Sequence, residues 1–293
     1  MVLCDGISCA GFVWRYLQPW LETRYRVLHI HYRGHGRSGL PRDPRATTLP
    51  HAASDINGVM DALNMRQALW LGHSMGVQVC LEAALRYPDR LRASVLLCGS
   101  HGRVLETFKD TDIGMRVLPL LREMTEHFRP AVANLMRLLM PTRLSYTIAL
   151  LSEINGRRIQ KQDFMPYLNH FATMPPDLFM STLTDAAERS SEHFLARLSQ
   201  PFLVLGAERD GFTPPHVGNT LAKKLPAARF ELLEDGSHIA PIELPELVRQ
   251  HIEDFIDDHP SDRNCGDELK PHETPGERFR AHSSPTHEAP GSV

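Results

Sequence analysis

The stretch Gly72-His73-Ser74-Met75-Gly76 has the pattern G-x-S-x-G, and it decides how the rest of the chain is interpreted. The apolar run before it, residues 68–71, is typical of a buried strand, and residues 77–85 after it are typical of a helix. A strand, a tight turn and a helix around this pattern predict a nucleophile elbow, in which the glycines leave room for a strained turn. Ser74 is therefore the candidate nucleophile, with the start of the following helix beside it.

The overall composition argues against several classes of partner. The 293 residues carry a formal net charge of -3, which gives no reason to expect nucleic acid or an anionic membrane as a partner. No apolar run approaches about 18 residues, so we expect no stable membrane insertion. The five cysteines are odd in number and form no CxxC pair, so we expect reduced thiols and a cytoplasmic location.

Strand-like and helix-like segments alternate along the first 100 residues. The strand-like runs there are residues 1–4, 25–32, 68–71 and 92–98. Residues 53–63 have apolar side chains at helical spacing, and further strands are predicted at 201–206 and 228–233. An amphipathic helix follows at residues 245–257. This alternation predicts a mostly parallel sheet flanked by helices.

Residues 101–198 interrupt the alternation with segments that are helical in pattern throughout. The helices predicted there are residues 114–122, 131–140, 163–171 and 177–187. The region also holds seven of the eleven methionines and five phenylalanines: Met115, Met124, Met136, Met140, Met165, Met174, Met180, Phe108, Phe128, Phe164, Phe171 and Phe179. Most of these side chains should pack between helices. The others should face an apolar pocket, so we expect this region to form a lid over the site.

A serine nucleophile needs a general base, and the base needs a carboxylate that orients it. His238 follows the last predicted strand, and Asp210 follows the strand before it. Because the carboxyl ends of parallel strands lie at one edge of a sheet, these distant side chains can converge on Ser74. We therefore predict Ser74, His238 and Asp210 as the catalytic residues. The competing acids are Glu208, Glu234 and Asp235.

The chain resembles the α/β-hydrolase superfamily, in the branch with a helical cap inserted after the family's sixth strand. The matching segments span nearly all of residues 1–257 in the expected order: Asp5-Gly6, Arg33-Gly34-His35-Gly36-Arg37-Ser38, Gly72-His73-Ser74-Met75-Gly76, residues 206–210 and Gly236-Ser237-His238. The resemblance implies esterase, lipase or related serine-hydrolase activity, with no cofactor and no metal. It divides the chain into a core at residues 1–100 and 199–258 and a cap at 101–198. The polar residues 259–293 are predicted to form a disordered tail.

The resemblance also implies an oxyanion hole made of two backbone N–H groups. One belongs to Met75, directly after the nucleophile. The other comes from the loop after the first strand, where we choose Ile7 and keep Gly6 and Ser8 as alternatives. Members of the family usually have His-Gly where this chain has Asp5-Gly6, so a carboxylate lies close to the predicted oxyanion loop.

A second departure concerns the start of the sheet. The family has about two strands before the one predicted at residues 1–4, and the sequence lacks them. Without them, the apolar strand at residues 27–32 becomes an exposed edge. We expect one of three explanations: the natural start lies upstream, a second subunit covers the edge in a homodimer, or the protein is a poorly stable remnant.

The leading functional hypothesis is a serine hydrolase that cleaves carboxylic esters of apolar small molecules through an acyl-enzyme. The same nucleophile would also serve carbon–carbon bond, lactone or thioester hydrolysis, or cofactor-free perhydrolysis. The HxHxxxH pattern of His29, His31 and His35 raises metal-dependent hydrolysis as an alternative, although no acidic third ligand accompanies these histidines in the sequence. A non-catalytic binding module that retains the fold is a further alternative.

Overall fold

One parallel sheet lies at the centre of the computed structural model, which describes residues 1–43, 45–106, 111–152 and 154–259. Its six strands are β1 (Val2–Cys4), β2 (Leu28–His29), β3 (Ala68–His73), β4 (Leu91–Leu97), β5 (Phe202–Ala207) and β6 (Ala228–Leu233). They follow the order β2-β1-β3-β4-β5-β6, and every neighbouring pair is parallel. The predicted α/β-hydrolase sheet is thus confirmed. The tail predicted after residue 259 lies outside the described residues.

Helices cover both faces of the sheet. The described α-helices are α1 (Leu17–Glu22), α2 (Leu49–Ala62), α3 (Met75–Arg86), α4 (Ile113–Leu139), α5 (Arg143–Ser152), α6 (Lys161–Thr173), α7 (Pro176–Glu188), α8 (Pro215–Lys224), α9 (Ala240–Glu243) and α10 (Pro245–Asp258). Side chains alternate across β3, so Trp70 joins the core formed with α2, α3 and α8. Its neighbours Leu69 and Leu71 join the opposite core with α1 and α10. Since both faces are covered, β3 buries all of its residues.

The strand predicted at residues 25–32 is much shorter in the structure. Only Leu28–His29 pairs as β2, which lies at one edge of the sheet and, among the described strands, pairs with β1 alone. Beyond it the chain bonds to the following turn: the His31 carbonyl accepts the Ser38 hydroxyl at 2.6 Å, and His31 Nδ1 accepts the Arg37 N–H at 2.9 Å. These local hydrogen bonds replace strand pairing, and sequence alternation alone does not reveal them.

The four long helices between β4 and β5 correspond only in part to the helices predicted there. The segments 114–122 and 131–140 belong to one 27-residue helix, α4, which is kinked at Phe128 (φ -122°, ψ 30°). Pro130 accounts for the kink, because proline lacks an N–H and disturbs the preceding turn. Helix α5 was not predicted, since adjacent residues such as Thr147 and Ile148 favour strands. Phe108, expected to contribute to the lid, lies outside the described residues.

Candidate active site

The predicted elbow is a strained turn at the carboxyl end of β3. The strand ends one residue before Ser74 and helix α3 begins one residue after it, with Ser74 at φ 55° and ψ -120°. A Cβ on Gly72 would lie 2.5 Å from the Gly76 carbonyl oxygen, and one on Gly76 would lie 2.1 Å from the Cys4 oxygen. Such strain, of about 1–3 kcal/mol, persists only where the surroundings enforce it. Here the tight strand–helix contact enforces it and presents the Ser74 hydroxyl at the sheet edge.

Ser74, His238 and Asp210 form one hydrogen-bonded row. The Ser74 Oγ lies 3.0 Å from His238 Nε2, and His238 Nδ1 lies 2.9 and 3.0 Å from the two carboxylate oxygens of Asp210. Asp210 also accepts the backbone N–H groups of Phe212 and Thr213 and the Thr213 hydroxyl, all at 2.8 Å. Its carboxylate is therefore oriented by four donors. Nδ1 of His238 carries the proton that faces Asp210, which leaves Nε2 as the acceptor for Ser74.

The competing acids have other partners or positions. Asp235 forms ion pairs with Arg158 at 2.9 Å and Arg209 at 2.6 Å, and these neighbours lower the pKa of its carboxyl group. Glu208 accepts the backbone N–H of Asp235 at 2.8 Å, and Glu234 is exposed. Asp210 is the acid that the structure brings to His238.

Two residues that were not singled out from the sequence hold the loop that carries His238. Nε2 of His73 donates to the His238 carbonyl oxygen at 2.8 Å. Burial, with a smaller contribution from His238, lowers the pKa of His73 to about 4, so His73 is neutral at pH 7. The Glu243 carboxylate accepts the backbone N–H groups of Ser237 and Asn155, each at 2.7 Å. The available sequence signal for this second anchor was an acid between the apolar residues Ile242 and Leu244, just beyond the His238 loop.

The loop after β1 lies against the nucleophile. A Cβ on Gly6 would lie 3.1 Å from the Ser74 Cβ, so this glycine allows the loop to approach the serine. Ile7 from the loop and Met75 from the start of α3 both line the cavity around Ser74. The structure therefore brings both residues predicted for the oxyanion hole to the same cavity as the serine.

The Asp5 carboxylate is tied to groups beside this loop. Its Oδ2 accepts the Gly11 N–H at 3.0 Å and lies 3.1 Å from His29 Nε2. His29 Nδ1 faces Gln18 Oε1 at 3.1 Å, and the amide nitrogen of Gln18 donates to Glu22, which fixes that amide's orientation. Acceptors thus flank both ring nitrogens of His29. The imidazole therefore bridges Gln18 and Asp5 and holds the buried carboxylate beside the loop.

The histidines considered for a metal do have an acidic neighbour, so the contrary statement from the sequence was wrong. Asp5, His29 and His31 offer ligand atoms within 4.8 Å of one another, whereas His35 instead bonds to the Arg33 carbonyl oxygen at 3.2 Å. Most of their polar atoms already have hydrogen-bond partners. Among the described residues, Asp5 Oδ1 is the cluster's buried atom without one. The acid was missed because it lies 24 residues before His29 in the sequence.

A cavity of about 470 Å³ opens above Ser74, between the sheet and the helices α5–α7. Its volume falls within the range of small-molecule sites. The lining from these helices, and from Met140 directly after α4, is mostly aromatic and aliphatic: Met140, Ile148, Phe164, Phe171, Phe179 and Leu183. Of the seven methionines noted in the sequence, Met140 lines this cavity, whereas Met115 and Met180 pack in a separate helical core. Phenylalanines and aliphatic side chains therefore contribute more to this wall than methionines do.

The chain belongs to the α/β-hydrolase fold family, whose sequence model matches residues 1–245. The pimeloyl-[acyl-carrier protein] methyl ester esterase of Methylococcus capsulatus is 26% identical over 264 residues, covering 87% of this chain and 94% of that protein. A hydrolase of Bacillus subtilis, YugF, is 25% identical over 260 residues and covers 87% and 89% of the two chains. Family membership and these relatives support hydrolase activity.

Solved structures share the fold. The enol-lactonase of Burkholderia xenovorans superposes with a TM-score of 0.70 at 21% identity, covering 87% of this chain and 90% of that chain. A thermophilic esterase of Thermogutta terrifontis superposes with a TM-score of 0.71 at 23% identity, covering 88% and 90%. Within the described residues, no helix is both long enough and apolar enough to cross a membrane.

Proposed function

We propose that the protein is a serine hydrolase that cleaves carboxylic esters with an apolar acyl or alcohol part. One observation carries the proposal: the hydrogen-bonded row Ser74–His238–Asp210 lies at the floor of a largely apolar cavity. The similarity to a methyl ester esterase at 26% identity supports the choice of an ester. Helices α4–α7 act in this proposal as the lid that encloses the substrate.

The proposed reaction follows from the positions of the three side chains. As Ser74 Oγ forms a bond to the ester carbonyl carbon, its proton passes to Nε2 of His238. Asp210 stabilises the resulting imidazolium through Nδ1. Collapse of the tetrahedral intermediate breaks the bond to the alcohol oxygen, which takes the proton from Nε2. Water then attacks the acyl-enzyme by the same proton transfers and releases the acid and free Ser74.

Charge that develops on the carbonyl oxygen needs donors that are already in place. The N–H groups of Met75 and Ile7 are the proposed donors, one from the start of α3 and one from the loop after β1. Because Gly6 allows that loop to approach Ser74, both groups can reach one oxygen. The hydrogen bonds of Asp5 to the Gly11 N–H and to His29 hold its carboxylate beside this loop.

Covalent labelling tests the proposed nucleophile. Purified wild type should react with a fluorophosphonate probe and hydrolyse p-nitrophenyl butyrate, and Ser74→Ala and His238→Ala should each lose at least about 1000-fold of kcat/KM. Ser199→Ala, which removes an exposed hydroxyl, should leave both readouts unchanged. Folded wild type that neither labels nor turns over would instead support the non-catalytic hypothesis.

A substrate panel tests the bond that is cleaved. Because the cavity is apolar, each additional buried methylene of an acyl chain should raise kcat/KM about fourfold until the cavity is full, equivalent to about 0.8 kcal/mol. Lactones, thioesters, carbon–carbon substrates and perhydrolysis are assayed in parallel. Suppose that Ser74 is labelled and that one of these classes is turned over, but no simple ester is. Ser74 would then remain the proposed nucleophile, and the proposed substrate would change from an ester to that class.

A further inference from the structure

Gln78 places an amide in the wall of the cavity. It lies on α3, four residues after Ser74, and only 1% of its surface is exposed. Its Nε2 donates to the carbonyl oxygen of Ala186 on α7 at 3.0 Å. Its Oε1 is buried and has no hydrogen-bond partner among the described residues. The side chain also lines the cavity above Ser74, so this free acceptor belongs to a residue of the proposed substrate site.

The orientation of this amide is determined by its neighbour. If the nitrogen and oxygen were exchanged, the Gln78 oxygen would face the Ala186 oxygen, and two acceptors would repel each other. The bond to α7 therefore leaves Oε1 as the unpaired end. Two hydroxyl groups of the cavity lining are already paired: the Ser145 hydroxyl donates to the Leu139 oxygen at 2.7 Å, and the Thr213 hydroxyl donates to Asp210. Nδ1 of His73, at the base of the cavity beside Ser74, is a second buried acceptor without a partner among the described residues.

A buried acceptor without a donor is unfavourable, so a ligand that brings a donor gains affinity from this site. A site that is built to pair a substrate N–H or O–H also rejects analogues that lack it much more strongly than an apolar wall rejects a missing methylene. We infer that Gln78 is a specificity-determining residue and that the preferred ester carries a hydrogen-bond donor, such as an amide N–H or a hydroxyl, within its apolar part. This inference rests on the proposed function.

The expected position of the donor follows from the helix. Four residues of α-helix advance about 6 Å, so Gln78 lies roughly one helical turn beyond the nucleophile. In the proposed complex, a donor several bonds from the ester carbonyl displaces the groups that cover Oε1 and bonds to it while that carbonyl remains at Ser74. The preference should therefore be confined to particular spacings between donor and ester.

Pairs of matched substrates separate the effect of the hydrogen-bond donor on kcat/KM from the effect of substrate length. The proposed series is p-nitrophenyl ω-acetamidoalkanoates with three to seven carbons, each compared with the ketone in which a methylene replaces the N–H. Each pair keeps the same length and the same acetyl oxygen. Wild type should show a maximum in the amide-to-ketone ratio of kcat/KM at one or two spacings. In Gln78→Leu, that ratio should fall by about tenfold or more at those spacings.

A control variant separates loss of the acceptor from a change of cavity shape. Leu183→Ala enlarges the same cavity without changing its hydrogen-bond acceptors, so it should alter both members of each pair equally. Gln78→Met provides a second apolar replacement in case Gln78→Leu does not fold. A wild-type ratio that is flat across all spacings would overturn the inference, even without a folded variant. Equal ratios in wild type and Gln78→Leu would overturn it as well.

Binding to Ser74→Ala separates this inference from the proposed function. The corresponding methyl esters are titrated calorimetrically into Ser74→Ala and into Ser74→Ala/Gln78→Leu. Tighter binding of the amides that depends on Gln78 would support the inference even if wild type cleaved no ester. Turnover of esters without any dependence on Gln78 would leave the hydrolase proposal intact. It would contradict the inference that Gln78 accepts a hydrogen bond from the substrate. Binding without discrimination and without turnover would contradict both.

Discussion

The sheet with its connecting loops and the helices α4–α7 differ in how tightly their residues are packed. Strands β3 and β5 bury every residue, and the glycines around Ser74 meet backbone atoms. Helix α4 instead leaves large apolar side chains in contact with solvent, among them Leu138, which is 70% exposed, and Phe128, which is 61% exposed. The part that holds the candidate nucleophile therefore tolerates little change, whereas the exposed face of α4 has room to vary.

This difference suggests that the two regions have different roles. The sheet edge orients Ser74, His238 and Asp210 through buried hydrogen bonds, and helices α5–α7 supply much of the apolar wall above them. Substitutions in the first region should change stability or kcat. Substitutions in the second should mainly change substrate preference. Four experiments test this comparison, from the largest expected effect to the smallest.

Substitution of one glycine in each region compares how tightly the two regions are packed. In Gly76→Ala, the new methyl group would meet the Cys4 backbone at 2.1 Å, so we expect the free energy of unfolding to fall by about 3 kcal/mol or more. In Gly156→Ala, the nearest atom is the end of the flexible Leu150 side chain at 2.8 Å, and the change should stay below about 1 kcal/mol. Urea denaturation of both variants measures the difference. Equal losses would remove the proposed contrast in packing.

His73 should make the sheet region sensitive to acid. Its pKa is lowered to about 4 in the folded state, so the unfolded chain binds this proton first as the pH falls. The stability it contributes is complete above about pH 6.5 and is lost as the pH approaches 4. Between pH 7 and 4.5 this amounts to roughly 2–3 kcal/mol. His73→Gln should lose less stability over that range in urea denaturation.

The control for the acid effect is His127→Gln, at an exposed histidine of α4. This variant should follow the wild-type dependence on pH, because it leaves the buried His73 unchanged. If His73→Gln and wild type showed the same dependence, the buried neutral state assigned to His73 would be incorrect.

The Asp5–His29 pair should affect the rate and leave substrate binding largely unchanged. Asp5→Asn weakens the bonds to Gly11 and His29 that shape the loop carrying Ile7, so kcat should fall roughly tenfold with little change in KM. Steady-state kinetics measure this, with Asp43→Asn as the exposed control. Loss of wild-type activity on treatment with a chelator would point instead to a metal held by Asp5, His29 and His31.

The smallest effect is expected on the exposed face of α4. Leu138→Ala removes a side chain that is largely in water, so the free energy of unfolding should change by less than about 0.5 kcal/mol. Turnover of short esters should also remain the same. A loss of 2 kcal/mol or more, in the range typical of a buried leucine, would mean that this face is covered in solution.

Much of the fold could be predicted from the sequence, because each strand and most helices carry their own periodicity. The helices at residues 163–171 and 177–187 were expected and lie within α6 and α7. The extent of β2 and the continuity of α4 could not be predicted. They depend on the hydrogen bonds of the turn after His31 and on a kink that the helix accommodates.

For the candidate site, chain order and strand ends were sufficient to select Ser74, Asp210 and His238, which the structure brings within hydrogen-bond distance. Glu243 was missed because its role depends on a short helix folding back under the His238 loop. The partnership of Asp5 with His29 was missed because it joins two neighbouring strands across the sheet, which no local pattern records.

The sequence by itself determined the nucleophile elbow, because the steric limits that require glycines around Ser74 are local to a strand–turn–helix segment. It also determined the order of strands and helices through their apolar periods. Only the tertiary structure decided that Asp5 and His29 meet beside the predicted oxyanion loop and which side chains form the cavity. It alone revealed the unpaired oxygen of Gln78, because hydrogen bonds between distant segments exist only after the chain has packed.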